Sequence, residues 1–286
     1  MDFQSIALPT ELYHHPYWWG QRYKPFFIIQ YAIVFFFVIY LCTMTELKNT
    51  LIIDAGNTSV KVALFIDNQL KSIERFRYTE IESLKEHLTK LNYSDVAISS
   101  VLSDLDTKIL MELFPKAINI TSHSIHPVKM GYETPQTLGI DRLANVSAIV
   151  PLLKTKYGVV IDIGTCIKFD IADNQGNYFG GSISPGIKLR YKSLNDYTGK
   201  LPLLESTTSC ELVGTTTQES IQSGVINGIH NELLGFMAQY HEKFEDLTFF
   251  VTGGDADYFE LDRKFDIFAD KNLTLKGIFE IYKYNA

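Results

Sequence analysis

The 286-residue chain is long enough for roughly two domains of ordinary size, and its 46% hydrophobic and 21% charged content is that of a soluble globular protein. A net charge of −7 excludes a chain built to grip nucleic acid, because phosphate contacts need a surplus of Lys and Arg on one face. The three dispersed cysteines, Cys42, Cys166 and Cys210, exclude a disulfide scaffold or a thiolate metal cluster and point to free thiols in a reducing, cytoplasmic compartment.

Residues 1–43 stand apart as a hydrophobic N-terminal extension. Residues 26–42 form an uncharged apolar run broken only by Gln30, marginal against the roughly 20 residues, about 17 at the least, that a helix needs to cross a bilayer. Arg22 and Lys24 precede the run and no small-residue cleavage site follows, which fits a signal peptide poorly. Three readings stay open: a chain whose organised part begins at Met44, a membrane tether, or a packed accessory helix. A membrane is a partner only in the second.

From Leu51 the pattern sharpens. Leu51-Ile52-Ile53 has the unbroken apolar character of a buried strand. It runs into Asp54-Ala55-Gly56-Asn57-Thr58, after which Val60, Val62 and Leu64 alternate as a second strand. Ile81, Leu84, Leu88 and Leu91 are spaced for one face of a helix over 81–91. A strand over 96–98 and a helix over 107–114 continue the alternation expected of an α/β domain. A further helix is expected over 141–153.

The opening design then returns. Val159-Val160-Ile161 leads into Asp162-Ile163-Gly164-Thr165, and Ile167, Phe169 and Ile171 alternate behind it. Lys61 and Lys168 fall at matching places, about one strand beyond each aspartate. Residues 217–240 read as a long amphipathic helix or two, and Phe249-Phe250-Val251 as a strand ending in Thr252-Gly253-Gly254.

An Asp-x-Gly-[Asn/Thr] hairpin has a physical use. Glycine lets the backbone turn tightly and approach a ligand. Turn N–H groups and Asn or Thr side chains can donate to phosphate oxygens, while the carboxylate can hold a cation or its waters. One copy is as well explained by an ordinary hairpin turn; two copies in matching strand contexts favour phosphate binding. No GxxxxGK[ST] loop, HExxH, CxxC or EF-hand loop occurs, so any ATP is handled without a Walker loop.

The duplicated hairpin resembles the acetate and sugar kinase, Hsp70 and actin superfamily. That implies two related ribonuclease-H-like α/β domains, each opening with three antiparallel strands, and ATP in the cleft between them. The expected domains are 44–153 and 154–286. Five segments in order narrow the resemblance to the type III pantothenate kinase family: residues 54–61; Tyr132-Glu133-Thr134-Pro135 with Gly139-Ile140-Asp141-Arg142; Asp162–Thr165 with Gly180-Gly181-Ser182-Ile183-Ser184-Pro185-Gly186; Gly214-Thr215-Thr216-Thr217 leading to Ser223-Gly224; and Thr252-Gly253-Gly254.

The resemblance implies ATP-dependent phosphorylation of pantothenate to 4'-phosphopantothenate, the first step of coenzyme A biosynthesis. It makes Asp141 the general base. It places ATP against Asp54, Ala55, Gly56, Asn57, Thr58, Ser59, Val60, Lys61 and Thr165. Pantothenate is placed against Tyr132, Gly139, Ile140, Asp141, Arg142 and Thr217, and adenosine beside residues 252–254. Mg²⁺ accompanies ATP with Asp54 as its protein-side partner, a monovalent cation (K⁺ or NH₄⁺) sits on Asp162, and the enzyme is a homodimer. Ordinary readings stand beside these: Asp141 or Thr217 as helix caps, Arg142 as a salt-bridge partner. Cys166 and Lys168 depart from the commonest family pattern, and the added cation puts the Asp162 assignment in question. A related transcriptional accessory or regulatory protein without kinase activity is the rival reading.

Overall fold

The structure is a computed structural model that describes residues 49–56, 59–102, 104–261 and 264–286; the extension over residues 1–43 lies outside them. Among the described residues no helix is long and apolar enough to cross a membrane.

Two sheets carry the chain. The first contains β1 (Asn49–Ala55), β2 (Ser59–Ile66), β3 (Gln69–Arg77), β4 (Asp95–Ser100) and β5 (Ile118–Ile120) in the order β3-β2-β1-β4-β5. β1, β2 and β3 are antiparallel, whereas β4 and β5 run parallel to β1. The second contains β6 (Lys129–Met130), β7 (Tyr157–Ile163), β8 (Cys166–Asp173), β9 (Asn177–Pro185), β10 (Leu247–Thr252) and β11 (Ile267–Ala269) in the order β11-β10-β7-β8-β9-β6. Apart from β6 at its edge, it repeats the first sheet: an antiparallel three-stranded opening, then two parallel strands. The repeated hairpin is thus the seed of a repeated half, and the pair is the ribonuclease-H-like arrangement expected.

The centre of β1, Leu51-Ile52-Ile53, is apolar because helices cover both of its faces. Leu51 and Ile53 pack with Leu84 and Leu88 of α1 (Ile81–Lys90). Ile52 faces Leu143 and Ala144 of α3 (Ile140–Ile149) and Ile278 of α6 (Leu273–Tyr282). Between β2 and β3 the chain turns at Asp67 and Asn68, both at positive φ (50° and 62°), a conformation that Asp and Asn tolerate in tight hairpins. α2 (Asp104–Leu113) starts three residues ahead of its expected position. α3 ends sooner than expected, in a 3-10 turn over Val150–Leu152, where Pro151 cannot donate the next helical hydrogen bond.

In the second half, α4 (Ile187–Asp196) and α5 (Thr217–Lys243) cover one face of the sheet. α5 is a single helix. It opens with a capping box in which the Thr216 side chain accepts from the Glu219 N–H and Glu219 reaches back to the Thr216 N–H. Ile221, Val225, Ile229, Leu233 and Met237 recur every fourth residue and bury against Ile161 and Phe169.

α6 packs on α3 and on β1, β4 and β5, so the first sheet is completed by the far end of the sequence. The approach is close at Gly277, where a Cβ would stand 1.8 Å from the Ala144 carbonyl oxygen.

Candidate active site

Strand register builds the site. In the first sheet Asp54, Lys61 and Arg75 stand side by side across β1, β2 and β3. In the second, Thr252, Asp162, Lys168 and Ile183 form the equivalent row across β10, β7, β8 and β9. Both rows line one cleft of about 540 Å³, within the roughly 300–1,000 Å³ typical of small-ligand sites.

The first row is open. The Lys61 ammonium stands 4.0 Å from Asp54 Oδ2, the outer limit of an ion pair. Burial pushes the Asp54 carboxyl up to about 6; Lys61 opposes the shift, and Asp141 and Asp162 add to it. The adjoining turn is braced: Tyr78 Oη donates to the Gly56 carbonyl, the Gly56 N–H donates to the Ser59 carbonyl at 3.1 Å, and Arg75 Nε donates to Ser59 Oγ at 2.8 Å. A carboxylate with no close cation suits Mg²⁺, which is usually held by one or two carboxylates together with substrate phosphates. Among the described residues no cluster of three acidic, His or Cys side chains offers a full metal cage.

α3 supplies the third element. Gly139 is its N-cap and Asp141 lies in its first turn, where the helix dipole favours a carboxylate. Asp141 Oδ1 accepts the Arg142 N–H at 2.9 Å, and a Cβ at position 139 would lie 2.6 Å from that oxygen. Glycine therefore leaves the space the carboxylate occupies. Arg142 is buried and forked onto Asp170 of β8, with Nε and Nη2 donating at 3.0 and 2.6 Å. Tyr178 Oη donates to the same carboxylate at 2.6 Å, and the guanidinium lies over the Tyr132 ring, 5.6 Å from its centroid. Burial works against the Arg142 charge, but Asp170 outweighs it and keeps the guanidinium protonated.

The second row is closed by α3. Lys168 Nζ lies 2.7 Å from Asp162 Oδ2 and donates to Asp141 Oδ2 at 2.6 Å. Asn145, one turn beyond Asp141, reaches the same Asp162 oxygen at 3.4 Å and accepts from Thr274 Oγ1 at 2.8 Å. Burial disfavours the Lys168 charge, yet Asp162 and Asp141 hold the ammonium above the ordinary lysine range. Asp162 Oδ2 thus already serves Lys168 and Asn145, and the expected monovalent cation would have to share this carboxylate with the ammonium. A second positive charge about 4 Å from the first would be repelled by about 4 kcal/mol at an effective dielectric near 20, against which the neighbouring Asp54, Asp141 and Asp162 carboxylates attract it.

Of the residues singled out in the sequence, Asp54, Gly56, Ser59, Lys61, Tyr132, Gly139, Asp141, Arg142, Asp162 and Thr165 line this cleft. Asn57 and Thr58 lie outside the described residues. Ala55, Val60 and Ile140 are core side chains. Thr217 is exposed in the first turn of α5 and does not line the cleft; the cap there is Thr216. Arg75, Lys188 and Asp255 also line it, and sequence reasoning missed them. Burial raises the Asp255 carboxyl while Lys188 and Arg75 oppose the shift, so the three form one charged rim. Arg75 carried a signal, since pairing β3 with β2 sets it beside Lys61; Lys188 and Asp255 carried none.

The profile of a protein family described as type III pantothenate kinase matches residues 50–239. A type III pantothenate kinase of Christiangramia forsetii is 38% identical over 82% of this chain and 98% of its own. One from Bacteroides fragilis is also 38% identical, with 82% and 98% covered. Among solved structures, a Campylobacter jejuni protein ascribed to a Baf family of transcriptional activators superposes with a TM-score of 0.55 at 26% identity, covering 82% of this chain and 98% of that one.

Proposed function

The chain belongs to the type III pantothenate kinase family, and from that premise we propose how its cleft moves the γ-phosphoryl group of ATP onto pantothenate. The observation that carries the reading is the Asp141 carboxylate at the first turn of α3, lining the same cleft as both Asp-x-Gly hairpins. The primary hydroxyl of pantothenate attacks the γ-phosphorus. Asp141 accepts its proton on a carboxylate oxygen, and the bond to the bridging oxygen breaks to release ADP. Both oxygens of Asp141 already accept one hydrogen bond, which fixes the carboxylate and leaves each a lone pair for the proton.

Lys61, Arg75 and Lys188 give the triphosphate its counter-charge, Ser59 and Thr165 donate to its oxygens, and Asn57 and Thr58 keep that role by resemblance alone. Residues 252–254 flank the adenosine. Mg²⁺ would bind Asp54 and the phosphates and spread the transferring charge. Tyr132 and Gly139 bound the pantothenate end; Arg142 serves that end by fixing Tyr132 and the start of α3, and Thr217 keeps its pantothenate role by resemblance alone. A cytoplasmic homodimer belongs to the same reading, and full activity from a species sedimenting as a monomer would remove that part. The regulatory alternative is not favoured, because the curated relatives at 36–38% identity carry the kinase name.

The test is formation of phosphopantothenate and ADP by the full chain supplied with ATP, Mg²⁺ and pantothenate, beside Asp141→Asn. Product that depends on pantothenate and collapses in the variant is expected. ATP hydrolysis indifferent to pantothenate would overturn the substrate, and an unimpaired variant would overturn the base.

A further inference from the structure

We propose that the Lys168 ammonium is the built-in cation of this active site, so that phosphoryl transfer proceeds without an added monovalent cation. The proposal rests on the kinase reading above. Its basis is position: Lys168 lies opposite Asp162 in the β7–β8 register, and its Nζ stands 2.7 Å from Asp162 and 2.6 Å from Asp141. The side chain is only 13% exposed, so its tether holds the charge at that point rather than in solvent.

The surroundings are organised around it. Asp162 Oδ2 receives Lys168 and Asn145, and Asn145 is in turn oriented by Thr274. A single chain of contacts therefore runs from α6 through α3 and β7 to Lys168 and ends on the proposed base. The first hairpin supplies the control. Lys61 has the same register position, but 4.0 Å separates it from Asp54 and no carboxylate of α3 reaches it. The matching lysine is a cation of the triphosphate site; Lys168 is a cation of the base, and its role is to position Asp141 and balance its charge.

The proposal makes two demands. An enzyme with a tethered cation is indifferent to the salt that accompanies ATP. Removing the tether opens an acidic site, at Asp162 and Asp141, that a free cation can fill. The experiment compares the full chain with Lys168→Thr, a replacement that keeps strand propensity and removes the charge. Phosphopantothenate formation is followed in tetramethylammonium salts and again with K⁺ or NH₄⁺ at equal ionic strength. Melting temperatures are recorded in the same buffers without substrate.

The unaltered chain should change its rate by less than about twofold between salts. Lys168→Thr should lose about 100-fold in kcat without K⁺, the scale of removing one preorganised electrostatic partner, and recover about tenfold or more with K⁺. K⁺ should raise the melting temperature of Lys168→Thr alone, because only that variant gains a cation site. A strict K⁺ requirement in the unaltered chain overturns the proposal. So does a folded Lys168→Thr that K⁺ neither rescues nor stabilises. If Lys168→Thr does not fold, the salt series on the unaltered chain decides, with Lys168→Arg expected to stay indifferent to K⁺. If no salt supports turnover of pantothenate, the kinase reading falls, and the K⁺-dependent melting of the two chains decides this proposal separately.

Discussion

The two hairpins share one geometry and have different occupations. In each, an aspartate at the end of one strand faces a lysine on the next. Two residues beyond that lysine they part: β2 carries the buried Ala63 and β8 the buried Asp170. Lys168 and Asp170 share one strand face and grip consecutive residues of α3, Asp141 and Arg142. The first hairpin has no such grip, and its Asp54 and Lys61 stay loosely paired at 4.0 Å. One copy of the motif is thus left open, while the other is spent on holding a helix whose first turn carries Asp141, the proposed base. The two turns match in register, and contact with α3 sets them apart.

The largest effect should come from removing the base held by the second hairpin. Asp141→Asn should lower kcat by about 10²–10⁴-fold, the usual contribution of a general base, with the fold retained by circular dichroism. A loss confined to KM would mean the carboxylate only binds. Next comes the other half of the grip. Arg142→Met leaves the Asp170 carboxylate buried without its cation and should cost about 3–5 kcal/mol of stability, read from urea midpoints. A cost below about 1 kcal/mol would show that the clamp is incidental.

The open hairpin should behave in the reverse sense. Burial holds Asp54 at about 6 against an ordinary 3.8, so its ionisation penalises the folded chain and not the unfolded one. The penalty is absent below the ordinary value, grows as pH rises towards 6 and is complete above it. Asp54→Asn should therefore fold more stably than the unaltered chain at pH 8, by at most about 3 kcal/mol, and the gain should vanish at about pH 4. An equal gain at both pH values would detach it from ionisation. The smallest effect is that of Lys61→Met. It should raise the KM for ATP by about tenfold and leave the pantothenate KM alone, as expected for one charge-assisted contact. A change in pantothenate KM instead would mean that the two lysines share a role.

Both hairpins and α1, α2, α3 and α5 were legible in the sequence, because an apolar period or an unbroken apolar run marks each of them; α4, α6 and the order of the strands were not. The cleft residues inside the two motifs were legible for the same reason. Lys168 could be seen as an intruder beside Asp162, but its second partner could not, since Asp141 reaches it from a different element. Asp170 passed unnoticed: an acidic residue inside an alternating strand reads as solvent-facing until a buried arginine is placed against it. Thr217 stands differently, carried to the substrate by resemblance alone. A motif placed it at a substrate, whereas its neighbour Thr216 has the more evident local task of capping α5. Lys188 and Asp255 meet only because α4 and the loop after β10 converge on the cleft.

The packing of α6 bears on when this protein becomes an enzyme during its own synthesis. Thr274 and Asn145 are 129 residues apart and share a hydrogen bond, and Gly277 lies directly on α3. α6 follows every other described element in the sequence, so it leaves the ribosome after all of them. Until it emerges, α3 has one face without its partner and β1 lacks part of its cover, and contacts across so long a loop form late. A chain cut off between Asp173, the end of β8, and residue 273 therefore has both hairpins but an α3 without its α6 support. Such a fragment leaves uncovered the apolar surface of α3 and β1 on which α6 and its closely seated Gly277 pack.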